Sequence, residues 1–410
     1  MRSTEVCIIG AGPAGSMAAL RLAQERIPFI ILDKDVFPRG KICGDALSGK
    51  VPHIMRRLSD ELYRNFVDRC DPMPSFGIQF IAPGDYTFDV PFIHDYDPAI
   101  HPVPGFTVKR EVLDNFMLKE VEKVAEESLM TGCAVHSVER TDNGFVISTG
   151  EGQIRAAMII DASGSGSGYM APYAKPEPSP GKTALAVRTY YENVSGLHTG
   201  NFIELYFLPE VLPGYIWVFP LPGGLVNAGI GIRKDIVLER RINLNELFDK
   251  LIHEHPMLAA KFANARSLSK PAAYPLPLGW PRFDISGERY MLAGDAAHLV
   301  DPLTGEGVGN AMYSGFIAAE QVADCLRAER YDAIFMKAYD KRINRVLGPE
   351  MRLSARLQKL LKYPRFVRTL ARRADKNKHV PELMSSMFTD LSHRKKLTNP
   401  LFLIRVLLNI

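Results

Sequence analysis

The spacing of apolar and polar positions changes period several times along the chain, and each change marks an expected element. Val6-Cys7-Ile8-Ile9 is an uninterrupted apolar run of the kind found in a strand buried on both faces. A glycine-rich turn follows, after which Ala18, Ala19, Leu20, Leu22 and Ala23 take up helical spacing. Phe29-Ile30-Ile31-Leu32 predicts a second buried strand, ended by Asp33. Further on, Leu113, Met117, Val121 and Val124 share one face of a predicted helix that opens near 108 and runs to about 129. Residues 132–135, 144–148 and 157–160 read as strands returning to the first sheet. Residues 71–104 instead alternate in runs such as Ile78-Gln79-Phe80-Ile81, and strand-like runs dominate 183–191, 202–208, 215–220 and 225–232, which predicts a second, antiparallel sheet. Helical periodicity returns over 243–262, from Ala311 to Arg327, and around Leu353, Leu357, Leu360 and Leu361, where Arg352, Arg356 and Lys359 line the opposite face.

The Gly10-Ala11-Gly12-Pro13-Ala14-Gly15 turn carries chemistry because of where it lies. Gly10 permits a tight turn, Gly12 lets backbone approach a pyrophosphate, and Gly15 lets the helix pack closely on the strand. A helix N-terminus placed there favours an anion, and Asp33, about 20 residues on, can accept hydrogen bonds from a ribose diol. The alternative is a turn that merely packs a helix on a strand. This stretch by itself admits either NAD or FAD.

Composition narrows the class. With 410 residues, 46% of them hydrophobic, the chain can bury a large core in two or more lobes. The five cysteines, Cys7, Cys43, Cys70, Cys133 and Cys325, are scattered without CxxC spacing, which predicts neither a disulfide framework nor a metal site and fits a reducing cytoplasm. No signal-peptide pattern and no run of roughly 20 apolar residues is found. The net charge of +4 is uneven: residues 341–379 hold thirteen Lys or Arg against Glu350 and Asp375. That basic region is either a solvated face packed on its own protein, the commoner case, or a surface for an anionic membrane or a substrate diphosphate, and the apolar end 401–410 is a candidate to dip into lipid or to cap the pocket. No nucleic-acid partner is expected.

A second anchor lies downstream at Tyr290-Met291-Leu292-Ala293-Gly294-Asp295-Ala296-Ala297-His298, followed by Asp301-Pro302-Leu303-Thr304-Gly305-Glu306-Gly307-Val308. Asp295 can accept from a sugar-alcohol hydroxyl. The amides of Gly307 and Val308, at a helix start, can sit near a redox ring that gains negative charge on reduction. This GDAAH…P..GEG pattern resembles the para-hydroxybenzoate hydroxylase-like flavoproteins. Two further stretches resemble the geranylgeranyl reductase family among them: Pro38, Arg39, Lys41, Cys43 and Gly44 fill a PRxKxCG pattern, and Tyr215-Ile216-Trp217-Val218-Phe219-Pro220 fills YxWxFP. Period-two alternation puts Tyr215, Trp217 and Phe219 on one face, either as plain core or as the wall of an apolar pocket.

The resemblance implies FAD as cofactor and reduction of carbon–carbon double bonds in a prenyl or other apolar lipid, with an electron donor of unknown identity. A flavin-dependent monooxygenase or halogenase is the alternative. Ser163-Gly164 stands where aromatic-hydroxylase relatives carry Asp-Gly, which weakens the case for direct use of NAD(P)H. The fold implied is α/β plus α+β. It comprises a Rossmann-like FAD-binding domain (1–70, 105–172 and 283–340), an inserted antiparallel-sheet substrate domain (71–104 and 173–282) and a basic helical C-terminal region (341–410). Cofactor contacts are expected from Gly10, Gly12, Pro13, Ala14, Gly15, Asp33 and Lys34, then from Arg39, Cys43, Gly44, Arg110 and Val135. Gly294, Asp295, Pro302, Gly305, Gly307 and Val308 complete that set. Arg110 is otherwise a surface arginine at a helix start, and Cys43 an inert, half-buried thiol. Cys43, Tyr215 and Trp217 are the candidate catalytic residues.

Overall fold

The computed structural model describes residues 1–166, 168–174, 180–279 and 283–374. The apolar end 401–410 and the last part of the basic run lie outside the described residues.

Five strands form the parallel heart of the first sheet, in the spatial order Tyr290–Leu292, Gly152–Asp161, Arg2–Ile9, Phe29–Leu32 and Leu129–Met130. Ile8 lies between Ile160 and Ile31 in register. Val6, Cys7 and Ile8 are fully buried, as uninterrupted apolar runs in parallel strands should be. Each such aliphatic side chain contributes about 1.5–3 kcal/mol by leaving water. Strand Gly144–Thr149 extends this sheet antiparallel to Gly152–Asp161, and Val135–Thr141 pairs antiparallel with Gly144–Thr149 in turn.

Two helices, Pro13–Gln24 and Val308–Ala328, pack against each other on one face of this sheet. Their approach needs glycine: a Cβ on Gly315 would lie 1.9 Å from the Ala14 carbonyl oxygen, and one on Gly15 would lie 1.8 Å from that of Gly10. Gly15 is therefore a packing residue.

The second sheet runs Arg266–Ser267, Thr183–Glu192, Leu225–Arg233, Tyr215–Leu221, Phe202–Tyr206, Gly77–Ala82, Tyr86–Pro91, with Ala272–Pro277 also paired to Thr183–Glu192. One neighbour pair departs from the antiparallel expectation: Phe202–Tyr206 and Gly77–Ala82 are parallel. Over a hundred residues separate these strands, so a crossover and not a hairpin joins them. Period-two alternation sorts the two faces. Val187, Ile216, Val218 and Ile230 pack under helices Leu244–Glu254 and Pro256–Phe262, while Ala186, Trp217 and Phe219 face the first sheet.

Three local expectations are corrected. Val124 is 58% exposed because its helix, Arg110–Ala125, turns that position outward near its end. Residues 132–134 are not strand: Gly132 has φ +69°, a left-handed turn, and the strand begins at Val135. In helix Gly348–Leu361, Leu360 is 40% exposed, and the buried stripe is Glu350, Met351, Leu353, Ser354, Gln358 and Leu361.

Gly315→Val should therefore force the two helices apart and cost about 1–3 kcal/mol or more. A lowered thermal unfolding midpoint, with loss of bound nucleotide, is the expected outcome.

Candidate active site

A cavity of about 600 Å³ opens between the two sheets. Its floor is the glycine-rich turn. Helix Pro13–Gln24 starts at Gly12 with no side-chain cap and no acid in its first turn, so its free N–H groups are available to an anion. Asp33 at the next strand end is held by backbone: Oδ2 accepts from Ala11 N–H at 2.8 Å and Oδ1 from Asp35 N–H at 3.0 Å. Gly10, Gly12, Pro13, Ala14 and the exposed Lys34 border the cavity beside it.

The opposite rim is the Gly294–Val308 stretch. Asp301 Oδ1 accepts from the N–H groups of Leu303 and Thr304, both at 2.9 Å, and so bends this loop toward the cavity. Gly294, Asp295, Gly305, Gly307 and Val308 line the space, as does Val135 from the far side. Pro302 does not: it is buried away from the cavity, and its carbonyl accepts from Gln358 of the C-terminal helix. Glu306 caps the helix behind it through Gly309 N–H at 2.8 Å. It also pairs with the buried Lys50 at 2.6 Å, which reaches Asn310 at 2.7 Å and Glu350 at 3.1 Å.

Arg110 is no surface arginine. It is buried and forms a two-pronged pair with Asp114, both contacts 2.8 Å. Arg39 Nη1 lies 3.2 Å from the same carboxylate and its Nη2 is 4.0 Å from Asp33. The two arginines thus link the ribose-side acid to Cys43, whose sulfur accepts from Asp45 N–H at 3.4 Å and from the Arg110 side chain. Burial pushes the Cys43 thiol pKa up, with Arg110 opposing, so the neutral thiol is the resting form.

The second sheet supplies the ceiling. Tyr215, Trp217 and Phe219 all face the cavity. Gly229 makes room for the indole, since a Cβ there would sit 2.4 Å from Trp217 Cζ2. Two of the expected catalytic groups turn out to be committed elsewhere. Tyr215 donates its hydroxyl proton to the Thr304 carbonyl at 2.5 Å, and burial raises its pKa far above the usual phenol range. Trp217 Nε1–H donates to Asn227 Oδ1 at 2.9 Å, leaving the ring as an apolar surface.

Sequence reasoning missed the centre of this network, Asp45. Its Oδ2 accepts from Tyr190 at 2.7 Å and from Asn227 Nδ2 at 2.8 Å, and its Oδ1 accepts from Arg110 N–H at 3.1 Å. Asn227 Nδ2 also donates to the Cys43 carbonyl at 2.7 Å. Adjacency to Cys43-Gly44 was the available signal for Asp45; Tyr190, Asn227 and Lys50 carried none. Among the described residues, no cluster of His, Cys, Asp and Glu suits a metal ion.

Two facing lobes, two glycine-led helix starts and one shared cavity define the fold of FAD-dependent reductases and halogenases. A crystal structure of a geranylgeranyl bacteriochlorophyll reductase-like protein from Thermoplasma acidophilum superimposes with TM-score 0.80 over 100% of both chains at 20% identity. A flavin-dependent brominase, Bmp2, does so with TM-score 0.75 at 21% identity, covering 95% of this chain and 94% of that one. A halogenase PltM variant in complex with FAD gives TM-score 0.73 at 17% identity, covering 99% and 90%.

By sequence, the chain is 27% identical over 391 residues to a menaquinone reductase of Mycobacterium tuberculosis, covering 90% of this chain and 86% of the relative. It is also 27% identical over 355 residues to a digeranylgeranylglycerophospholipid reductase of Methanococcus vannielii, covering 83% and 82%. No family model matches the chain.

Asp45→Asn should turn an amide N–H toward Asn227 Nδ2 and cost about 1–3 kcal/mol in urea unfolding. Burial raises the Asp45 pKa against the hydrogen bonds from Tyr190 and Asn227. A raised folded pKa means that the folded state binds more protons than the unfolded one between the two values, so stability falls as pH rises through that window. The stability gap between wild type and Asp45→Asn should accordingly narrow from about pH 4 upward.

Proposed function

We propose that this protein is an FAD-dependent oxidoreductase that reduces carbon–carbon double bonds of a prenyl or other apolar lipid. The observation that carries the reading is one cavity with a dinucleotide grip on one side and the Tyr215, Trp217 and Phe219 wall on the other. Similarity to lipid and quinone reductases over most of the chain supports it.

The residues present fit FAD. The uncapped start of helix Pro13–Gln24 suits the diphosphate, Asp33 the adenosine ribose and Asp295 the sugar-alcohol chain. Gly307 and Val308, at the start of helix Val308–Ala328, suit the electron-accepting end of the ring. Arg39, Cys43, Gly44 and Arg110 border the same space. In reduced form the cofactor supplies a hydride equivalent.

The chain's own part is to exclude water, orient the alkene and hold a proton. The aromatic wall packs the alkene by its apolar faces. We assign the proton to Cys43 Sγ. Burial keeps the thiol protonated, and Asp45 N–H together with the Arg110 guanidinium already points at the sulfur, ready to stabilise the thiolate left behind. Tyr215 and Trp217 act as wall and support.

The segments proposed for the lobes are 1–70, 105–172 and 283–340 for FAD, and 71–104 and 173–282 for substrate. Among the described residues no helix is long and apolar enough to cross a membrane. Lys341, Arg345, Arg352, Arg356, Lys359, Lys362, Arg365, Arg368 and Arg372 are exposed, and between residues 341 and 374 the only acid, Glu350, is buried. This basic face is proposed to rest on an anionic membrane surface, beside a cavity that takes lipid.

Under anaerobic conditions, the oxidised flavin spectrum of the pre-reduced enzyme should return on adding a prenylated lipid; its failure to return with any such lipid would falsify the reading. Cys43→Ser should slow that return by about 10²-fold or more while flavin content stays unchanged. Substrate-dependent oxygen consumption without alkene reduction would instead favour the monooxygenase or halogenase reading, which the shared fold supports. Co-sedimentation with vesicles should require anionic lipid and weaken when Arg365 and Arg368 are changed to Glu.

A further inference from the structure

Two cations that border the cavity, Arg188 on the second sheet and Lys41 on the loop after Asp33, are left without acids. Arg188 and Lys41 both line the cavity, and among the described residues neither lies within 4 Å of a carboxylate. Each rests on a tyrosine instead. Lys41 Nζ is 3.6 Å from the Tyr274 ring centre, and the Arg188 guanidinium carbon is 4.1 Å from that of Tyr190. Arg188 Nε is buried with no hydrogen-bond partner.

Strand register brings the two together. Tyr274 lies directly opposite Ala186 and Arg188 directly opposite Ala272, so Tyr274 and Arg188 are diagonal neighbours on one face. Ala186, small and on that same face, borders the cavity beside them. Ser165 bonds to the Tyr274 hydroxyl at 2.6 Å and fixes its ring under Lys41. Lys109, 5.1 Å from the Tyr190 ring centre, adds a third positive charge. The acid that feels Arg188 is Asp45, already taken by Tyr190, Asn227 and the Arg110 backbone. A half-buried pair of cations bordering the cavity, short of acceptors, matches an anion with several oxygens, which a guanidinium fork can grip in two places.

We propose that Lys41 and Arg188 form a site for the phosphate-type anionic end of the substrate, from which the prenyl chain runs along the Tyr215, Trp217 and Phe219 wall. This rests on the lipid-reductase reading above and narrows it toward phosphorylated lipids over neutral quinones.

Ligand binding to the oxidised, FAD-loaded enzyme, followed by flavin fluorescence, tests it. Geranylgeranyl diphosphate should bind at least tenfold tighter than geranylgeraniol, and that advantage should shrink with added salt. Arg188→Gln and Lys41→Gln should each remove most of the advantage while leaving the alcohol's affinity unchanged, and Arg188→Lys should keep part of it. Unaltered flavin content and unfolding midpoint establish that the variants are folded. Equal affinity for the alcohol, or an advantage that survives both substitutions together, overturns the site while leaving the lipid reading intact. Inorganic pyrophosphate binding as tightly as the prenyl diphosphate would make it a free-phosphate site, and NADPH binding that depends on Arg188 would assign it to a reductant; either overturns the proposal. If neither prenyl compound binds, the lipid reading and the site fall together.

Discussion

One buried carboxyl group joins the two halves of the site. Asp45 lies just after the Cys43-Gly44 segment, which the first lobe presents to the cavity, yet two of its three hydrogen bonds come from Tyr190 and Asn227 of the second sheet. The third comes from the backbone at the head of the Arg110 helix. Asn227 passes the constraint on, since its amide orientation is set by Trp217 Nε1–H on one side and by the Cys43 carbonyl on the other. Such a network is worth having only if every member is satisfied, because each unsatisfied polar atom at this depth is costly. Its completeness therefore fixes where Cys43 and Trp217 sit relative to one another.

Other contacts across the seam follow the same logic at lower stakes. Tyr215 reaches from the second sheet to the Thr304 carbonyl, so the wall of the pocket also positions the loop that leads to Gly305 and Gly307. Lys50 is buried among Glu306, Asn310 and Glu350, and so ties the helix after Asp45, the cavity loop and the C-terminal helix to one charge. A buried cation of this kind is weak evidence for extra stability, but it leaves its three partners little freedom to move apart.

The fold alone does not choose a reaction, because reductases and halogenases share it. The choice rests on side chains facing the cavity. An aromatic wall whose Tyr215 hydroxyl and Trp217 N–H are already hydrogen-bonded within the protein favours an apolar chain. The proton-donor role proposed for Cys43 draws on its half-buried thiol, whose sulfur accepts from the Asp45 N–H and the Arg110 side chain.

Much of this was legible in the residue pattern. Apolar runs with a glycine turn between them determine the parallel strands, the first helix and the acid at Asp33, because those periods and that turn admit few other conformations. Alternation likewise determined that Tyr215, Trp217 and Phe219 share a face. The sequence could not show which face is wet, lined or covered. Val124 and Leu360 follow the helical stripe but fall where the helix meets no partner, while Pro302 belongs to a cofactor-loop pattern but is turned to the C-terminal helix. The links from Asp45 to Tyr190 and Asn227 span 145 and 182 residues. No local spacing encodes such contacts; they exist only once two sheets have packed, and at that point a polar residue with no motif of its own becomes the centre of the site.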